Sequence, residues 1–185
     1  MQRQPTLLNS CASAATAAEA RFRLDYPDTR HREARVIALD DHAADLVRTM
    51  AGAQWSGGHF LVFEAVRAGG PDGNGTGGAP AAVPALTADA TLRTADGSSV
   101  LLSSELEDAD SVVMIATAQA SAAAASVIGD ACAARRISSA GLVVSDGASG
   151  PGVDAVVAAL RPNAMVLVVL HDHRDVPEIL SALRV

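Results

Sequence analysis

The sequence contains no lysine, and all 14 of its basic residues are arginines. A P-loop NTPase needs a lysine beside the phosphates, and a pyridoxal-phosphate enzyme needs a lysine to form its Schiff base. Both classes are therefore excluded. With 21 acidic residues the chain carries a formal net charge of −7. This balance gives no electrostatic footprint for nucleic acid or an anionic membrane, so neither is expected as a partner.

Aromatic residues and cysteines are also scarce. Aromatic side chains make up 3% of the chain, and the two cysteines, Cys11 and Cys132, have no metal-ligand spacing. The core is therefore expected to consist of Val, Leu, Ile and Ala, as buried parallel strands require. Thr6-Leu7-Leu8 is too short for the core of a signal peptide, and the sequence thus predicts a cytoplasmic protein.

Apolar strands alternate with helical segments from residue 35 onwards. Such alternation predicts an α/β fold, a Rossmann-like three-layer sandwich with a mostly parallel sheet of five to six strands and helices on both faces. A turn at 95–97 predicts a short hairpin within it. The predicted strands are 35–39, 59–65, 111–116, 140–144 and 164–170, and the predicted helices are 41–53, 121–136, 153–160 and 176–183.

The sequence predicts a single domain over 35–185, which follows a separate N-terminal region and contains one long loop. Residues 1–34 predict an Ala-rich helix and a charged connector, and the helix either packs on the domain or serves as a docking arm. Residues 69–80 contain six glycines, which predicts a long flexible loop.

The turn after the first predicted strand has no glycine. It runs from Ala38 to Asp45 and carries Asp40, Asp41 and His42. A dinucleotide-binding fold needs close backbone approach and a helix N-terminus free of negative charge at this place. Glu64, at the end of the second strand, stands where an acid would accept ribose hydroxyls. The two aspartates nevertheless oppose a pyrophosphate, so nicotinamide, flavin and other organic cofactors are not predicted.

The carboxyl ends of the parallel strands form a polar rim, which is the place where such sheets bind ligands. Imidazole beside carboxylate predicts either general acid–base chemistry or a divalent metal ion held by His42, His171 and His173. The alternative is that these residues are polar only because they lie in loops. The candidate ligand residues are Asp40, Asp41, His42, Glu64, Thr117, Gln119, Asp146, His171, Asp172 and His173.

Two segments are similar to the nucleotide-binding half of the tubulin-like bacterial cell-division GTPases. Residues 107–116 resemble that family's Ala-Asp-led strand before its glycine-rich signature loop, and 160–176 resemble the strand that ends in its Asn-Asp-Arg turn. The similarity covers about residues 35–176. The signature loop is here Thr-Ala-Gln-Ala-Ser-Ala-Ala (117–123), without glycine. The resemblance therefore implies a degenerate relative that does not hydrolyse nucleotide, and no catalytic residue is transferred.

Three functions follow as hypotheses. The leading one is a small regulatory or binding domain that acts through a protein partner, a second copy of itself or a bound ligand, without nucleotide hydrolysis. The alternative is a small-molecule enzyme that uses the acidic and histidine-bearing rim, with or without a metal ion. The third is a subunit of a larger complex whose other part supplies the chemistry.

Overall fold

The computed structural model describes residues 33–55, 57–67, 89–145, 147, 150–183 and 185. In these ranges seven strands form one sheet in the order β4-β3-β2-β1-β5-β6-β7. The pairs β1–β2, β1–β5, β5–β6 and β6–β7 are parallel, and β3 and β4 are antiparallel additions beside β2. The strands are β1 (Ala34–Ala38), β2 (Gly58–Arg67), β3 (Asp89–Thr94), β4 (Ser99–Leu101), β5 (Ser111–Ala116), β6 (Ser138–Val144) and β7 (Val166–Leu170).

Helices cover both faces of this sheet. They are α1 (Asp41–Ala51), α2 (Leu102–Glu105), α3 (Ala122–Arg135), α4 (Pro151–Leu160) and α5 (Val176–Ala182). The first face buries side chains of α1 and α5, such as Val47 and Leu180, against even-numbered β1 residues. The second buries α2, α3 and α4, with Ile128 and Leu160, against odd-numbered ones such as Ile37. Central strands buried on both sides are thus mostly apolar, and Arg35 of β1 is a buried exception.

The predicted Rossmann-like α/β sandwich is confirmed, with seven strands where five to six were expected. The higher count arises because the hairpin of β3 and β4 joins the main sheet and extends it past β2. A register shift between Phe63 and Ala65 marks a β-bulge in the antiparallel pairing of β2 with β3, just after Val62, the last residue of β2 that pairs with β1.

Asp89 links this hairpin to the second face. Its Oδ1 accepts hydrogen bonds from the amides of Ala90, at 2.9 Å, and Ser103, at 3.0 Å, and its Oδ2 accepts one from Ser103 Oγ at 2.6 Å. Partial burial would raise the pKa of Asp89. The hydrogen bonds from Ser103 and Ala90, with the positive charge of Arg135, outweigh burial and hold this pKa below its usual value.

The predicted N-terminal helix and the glycine-rich loop at 69–80 lie outside the described residues. Within the described ranges, no helix has the length and apolar character needed to cross a membrane.

Candidate functional site

The carboxyl edge of the parallel strands contains a topological switch point between β1 and β5. From β1 the chain passes through α1 to β2 on one side, whereas from β5 it passes through α3 to β6 on the other. Counted alone, the parallel strands follow the order 2-1-3-4-5, which is common in doubly wound sheets. Ligands of such sheets bind in the crevice at this point, so its contents decide what the site can do.

Asp40 fills this switch point with its own carboxylate. It is the N-cap of α1, and its Oδ1 accepts a hydrogen bond from the amide of Ala43 at 2.9 Å. The same oxygen accepts one from Thr117 Oγ1 at 2.9 Å, and Oδ2 accepts one from the Thr117 amide at 2.7 Å. Thr117 is buried and directly follows β5. A carboxylate of the chain thereby engages donors from both sides of the crevice.

The other candidates on this part of the rim do not converge on Asp40. Asp41, His42 and Gln119 are exposed. Glu64 lies inside β2, at the bulge, because the strand continues to Arg67. Its carboxylate forms an ion pair with Arg93 of β3. The side chain that was expected to bind a ribose therefore joins β2 to the β3–β4 hairpin.

The last part of the rim is a shallow depression of about 320 Å³ after β7, lined by 171–174. Asp172 Oδ1 accepts a hydrogen bond from the Arg174 amide at 2.9 Å and lies 3.8 Å from His173 Nδ1, while His171 is exposed. Asp146 lies outside the described residues. Among the residues that the structure describes, no three His, Cys, Asp or Glu side chains are grouped to hold a metal ion. Acid–base or metal chemistry at this end stays a prediction.

An ionic cluster at the opposite, amino edge of the sheet was not predicted. Arg35 of β1 and His59 of β2 are register partners. Arg35 Nε lies 3.1 Å from Glu105 Oε2 and donates to the Glu105 carbonyl at 3.0 Å, and His59 Nδ1 shares a 2.7 Å hydrogen bond with Glu105 Oε2. The side chains of Arg35 and Glu105 are only 9% and 12% exposed.

This cluster joins three elements on the second face of the sheet. Arg35 Nη1 also reaches Glu33 Oε2 at 3.2 Å, so the guanidinium has partners on two sides. The one sequence signal was an arginine inside an otherwise apolar strand. Its partner Glu105 is 70 residues away in the sequence, so local sequence patterns could not predict this contact.

The second cavity, of about 510 Å³, lies at the same amino edge between the end of α3 and the start of β7. Two polar side chains in its wall are already engaged: Asn163 Nδ2 donates to the Ala159 carbonyl at 2.9 Å, and Ser139 Oγ donates to the Asn163 carbonyl at 2.9 Å.

Cys132 of α3 is a free, buried thiol. Burial raises the pKa of Cys132 to about 11, against a smaller opposing effect of Arg135, so the thiol is not an activated nucleophile.

Comparison of the chain with protein-family models, with curated proteins and with solved structures finds no match. The resemblance to the tubulin-like GTPases accordingly stays a prediction.

Proposed function

We propose that this protein is a non-catalytic interaction domain with a Rossmann-like fold, which works in the cytoplasm without a bound nucleotide. One observation carries the proposal: the Asp40 carboxylate accepts three hydrogen bonds at the switch point, from Ala43 N, Thr117 N and Thr117 Oγ1. In nucleotide-binding relatives of this architecture, backbone amides at such a place receive a phosphate. Here an internal anion takes that position.

Electrostatics supports the same proposal. A phosphate entering the crevice would meet the carboxylate of Asp40, followed at once by that of Asp41 in the first turn of α1. Negative charge at a helix N-terminus compensates the helix dipole, and its presence removes the attraction that an anionic ligand would otherwise feel. A phosphate that displaced Asp40 would also break the three hydrogen bonds that this carboxylate accepts, so nucleotide binding carries a further cost.

The absence of lysine and the free thiol of Cys132 suit this proposal and a reducing compartment. The resemblance to tubulin-like GTPases agrees with it too, because it implies a relative that has lost hydrolysis.

Thermal unfolding in the presence of nucleotides tests the proposal. A ligand at 100 times its Kd stabilises the native state by about 2.7 kcal/mol, which raises the Tm of a domain of this size by roughly 5–10 °C. We expect 1 mM GTP, ATP or NAD, each with Mg²⁺, to leave the Tm unchanged within about 1 °C, far below that response. A rise of several degrees with any of them, or its turnover, would overturn the proposal.

A further inference from the structure

The two edges of the sheet differ in how they are protected against pairing with another strand. At one edge, β4 is only three residues long and begins with the exposed Ser99. At the other edge, β7 runs from Val166 to Leu170 with no charged residue, and residues 164 and 165 before it are also apolar. Soluble proteins usually shield an edge strand with charge, proline, a bulge or shortness. The described part of β7 has none of these.

Exposed apolar surface is concentrated on the same edge. In the described part of the chain four large hydrophobic residues are exposed, and three of them lie on or beside β7: Met165 at 80%, Val166 at 49% and Val169 at 40%. The fourth, Val66 at 40%, lies on β2. A cluster of this kind on one strand marks an interaction site more than scattered single residues do.

The backbone of β7 also has donors and acceptors directed away from the sheet. Leu170 is the register partner of Val144, and its carbonyl accepts a hydrogen bond from the Ser145 amide at 2.8 Å, so Leu170 faces β6. Since strand residues alternate in direction, Leu167 and Val169 direct their N–H and C=O groups outward. Among the described residues no strand lies beyond β7 to receive them.

We propose that β7 pairs antiparallel with β7 of a second copy of this chain, on a two-fold axis through Val168. In this register Leu167 of each copy exchanges backbone hydrogen bonds with Val169 of the other, and the sheets join into one. Closed two-fold dimers are the commonest homo-oligomers, and their interface is self-complementary. The inference rests on the proposed function and names the partner of that interaction domain.

Charge favours a second copy in this orientation. Each copy carries −7, so two copies repel unless they meet at an uncharged surface, which β7 provides. The exposed Arg161 precedes β7, while Asp172, Arg174 and Asp175 follow it and together carry a net charge of −1. Antiparallel pairing brings the basic end of one copy towards the acidic end of the other, with Arg161 towards Asp175. Parallel pairing would place like ends together.

Sedimentation velocity of the full chain between 1 and 100 µM tests the inference. We expect a species of twice 18.8 kDa at the upper concentrations. Val169→Lys places a charge against the second copy and should weaken dimerisation at least tenfold. Val66→Lys is the matched control, because Val66 has the same residue type and the same 40% exposure on another strand, and it should dimerise like the wild type. Circular dichroism checks that both variants fold.

Hydrogen exchange supplies the second readout. In the dimer, the amides of Leu167 and Val169 should exchange more slowly as protein concentration rises. A wild-type monomer at 100 µM overturns the inference, including the case in which these amides are protected by another segment of the same chain. Equal dimerisation of Val169→Lys and the wild type overturns it too. These results leave the proposed function standing, whereas stabilisation by nucleotide overturns that function whether or not the dimer forms.

Discussion

At the scale of single residues, the account depends on a carboxylate that serves two elements at once. Asp40 caps α1 through Ala43 and holds the first residue after β5 through Thr117. Loss of an N-cap costs about 1 kcal/mol. Loss of the partner of a buried amide such as that of Thr117 adds roughly 1–3 kcal/mol.

Asp40→Ala should therefore lower the free energy of unfolding by about 2–4 kcal/mol, measured by urea denaturation. Asp41→Ala is the control, since Asp41 is the exposed neighbour and contributes only to the helix dipole, with an expected loss below about 1 kcal/mol. Equal effects of the two substitutions would show that the Thr117 contacts contribute nothing.

The cluster at the amino edge yields a second prediction at this scale. Glu105→Gln leaves the guanidinium of Arg35 largely buried without its main countercharge, and breaking such a pair costs about 3 kcal/mol. Asp45→Asn removes the exposed ion pair with Arg48 and should cost less than about 0.5 kcal/mol. Urea unfolding of both variants measures the difference, and a Glu105→Gln variant as stable as Asp45→Asn would refute the structural role of the cluster.

At the scale of elements, Asp89 connects the β3–β4 hairpin to α2, and its lowered pKa makes that connection depend on pH. A carboxyl group whose pKa is lower in the folded state stabilises the fold above its unfolded pKa, near 3.8, and that stabilisation is lost as pH falls through the folded pKa. Wild type should thus be more stable than Asp89→Asn at pH 7, with a gap that stays constant to about pH 5.

Below pH 3.8 the gap between wild type and Asp89→Asn should narrow. Urea unfolding at pH 7, 5, 4 and 3 measures it, and Asp130→Asn on the exposed side of α3 controls for the substitution itself. A gap that widens towards acid would contradict the assignment of Asp89 as the link.

Most elements could be predicted because their signals are local. The predicted strand 111–116 coincides with β5, and the predicted helix 121–136 differs from α3 by one residue at each end. The strand is predicted by its apolar run. The start of the helix is predicted by a serine N-cap, Ser121, whose Oγ accepts a hydrogen bond from the Ala123 amide. The hairpin was also predicted from its turn, since Gly97 adopts the positive φ that such turns need.

The site was harder to predict because its contacts are not local. Asp40 and Thr117 were both named as rim residues, but their mutual hydrogen bonds span 77 positions. Similarly, Glu64 was predicted to lie at a strand end, whereas the strand continues to Arg67. The Glu64 carboxylate instead forms an ion pair with Arg93, which lies 29 residues later in the chain. Residue type and strand position predict which side chains reach an edge, while pairing among them depends on sheet register.

At the scale of the whole molecule, the two edges of the sheet and the switch point give one consistent account. The Asp40 carboxylate occupies the switch point at which folds of this type receive nucleotide, and most of the exposed large apolar side chains among the described residues lie on or beside β7, which is where we propose that the protein binds its partner. Function would then reside in assembly of the chain and not in chemistry at the rim.

Nitrogen–proton correlation spectra of the full chain, recorded during titration with GTP and with NAD in the presence of Mg²⁺, test this central claim most directly. The amides of Ala43 and Thr117 report on the switch point, because both donate to Asp40. We expect their resonances to stay in place up to 1 mM nucleotide, about a hundredfold above a micromolar-range Kd of 10 µM. Saturable shifts of these two amides at micromolar nucleotide would contradict the account.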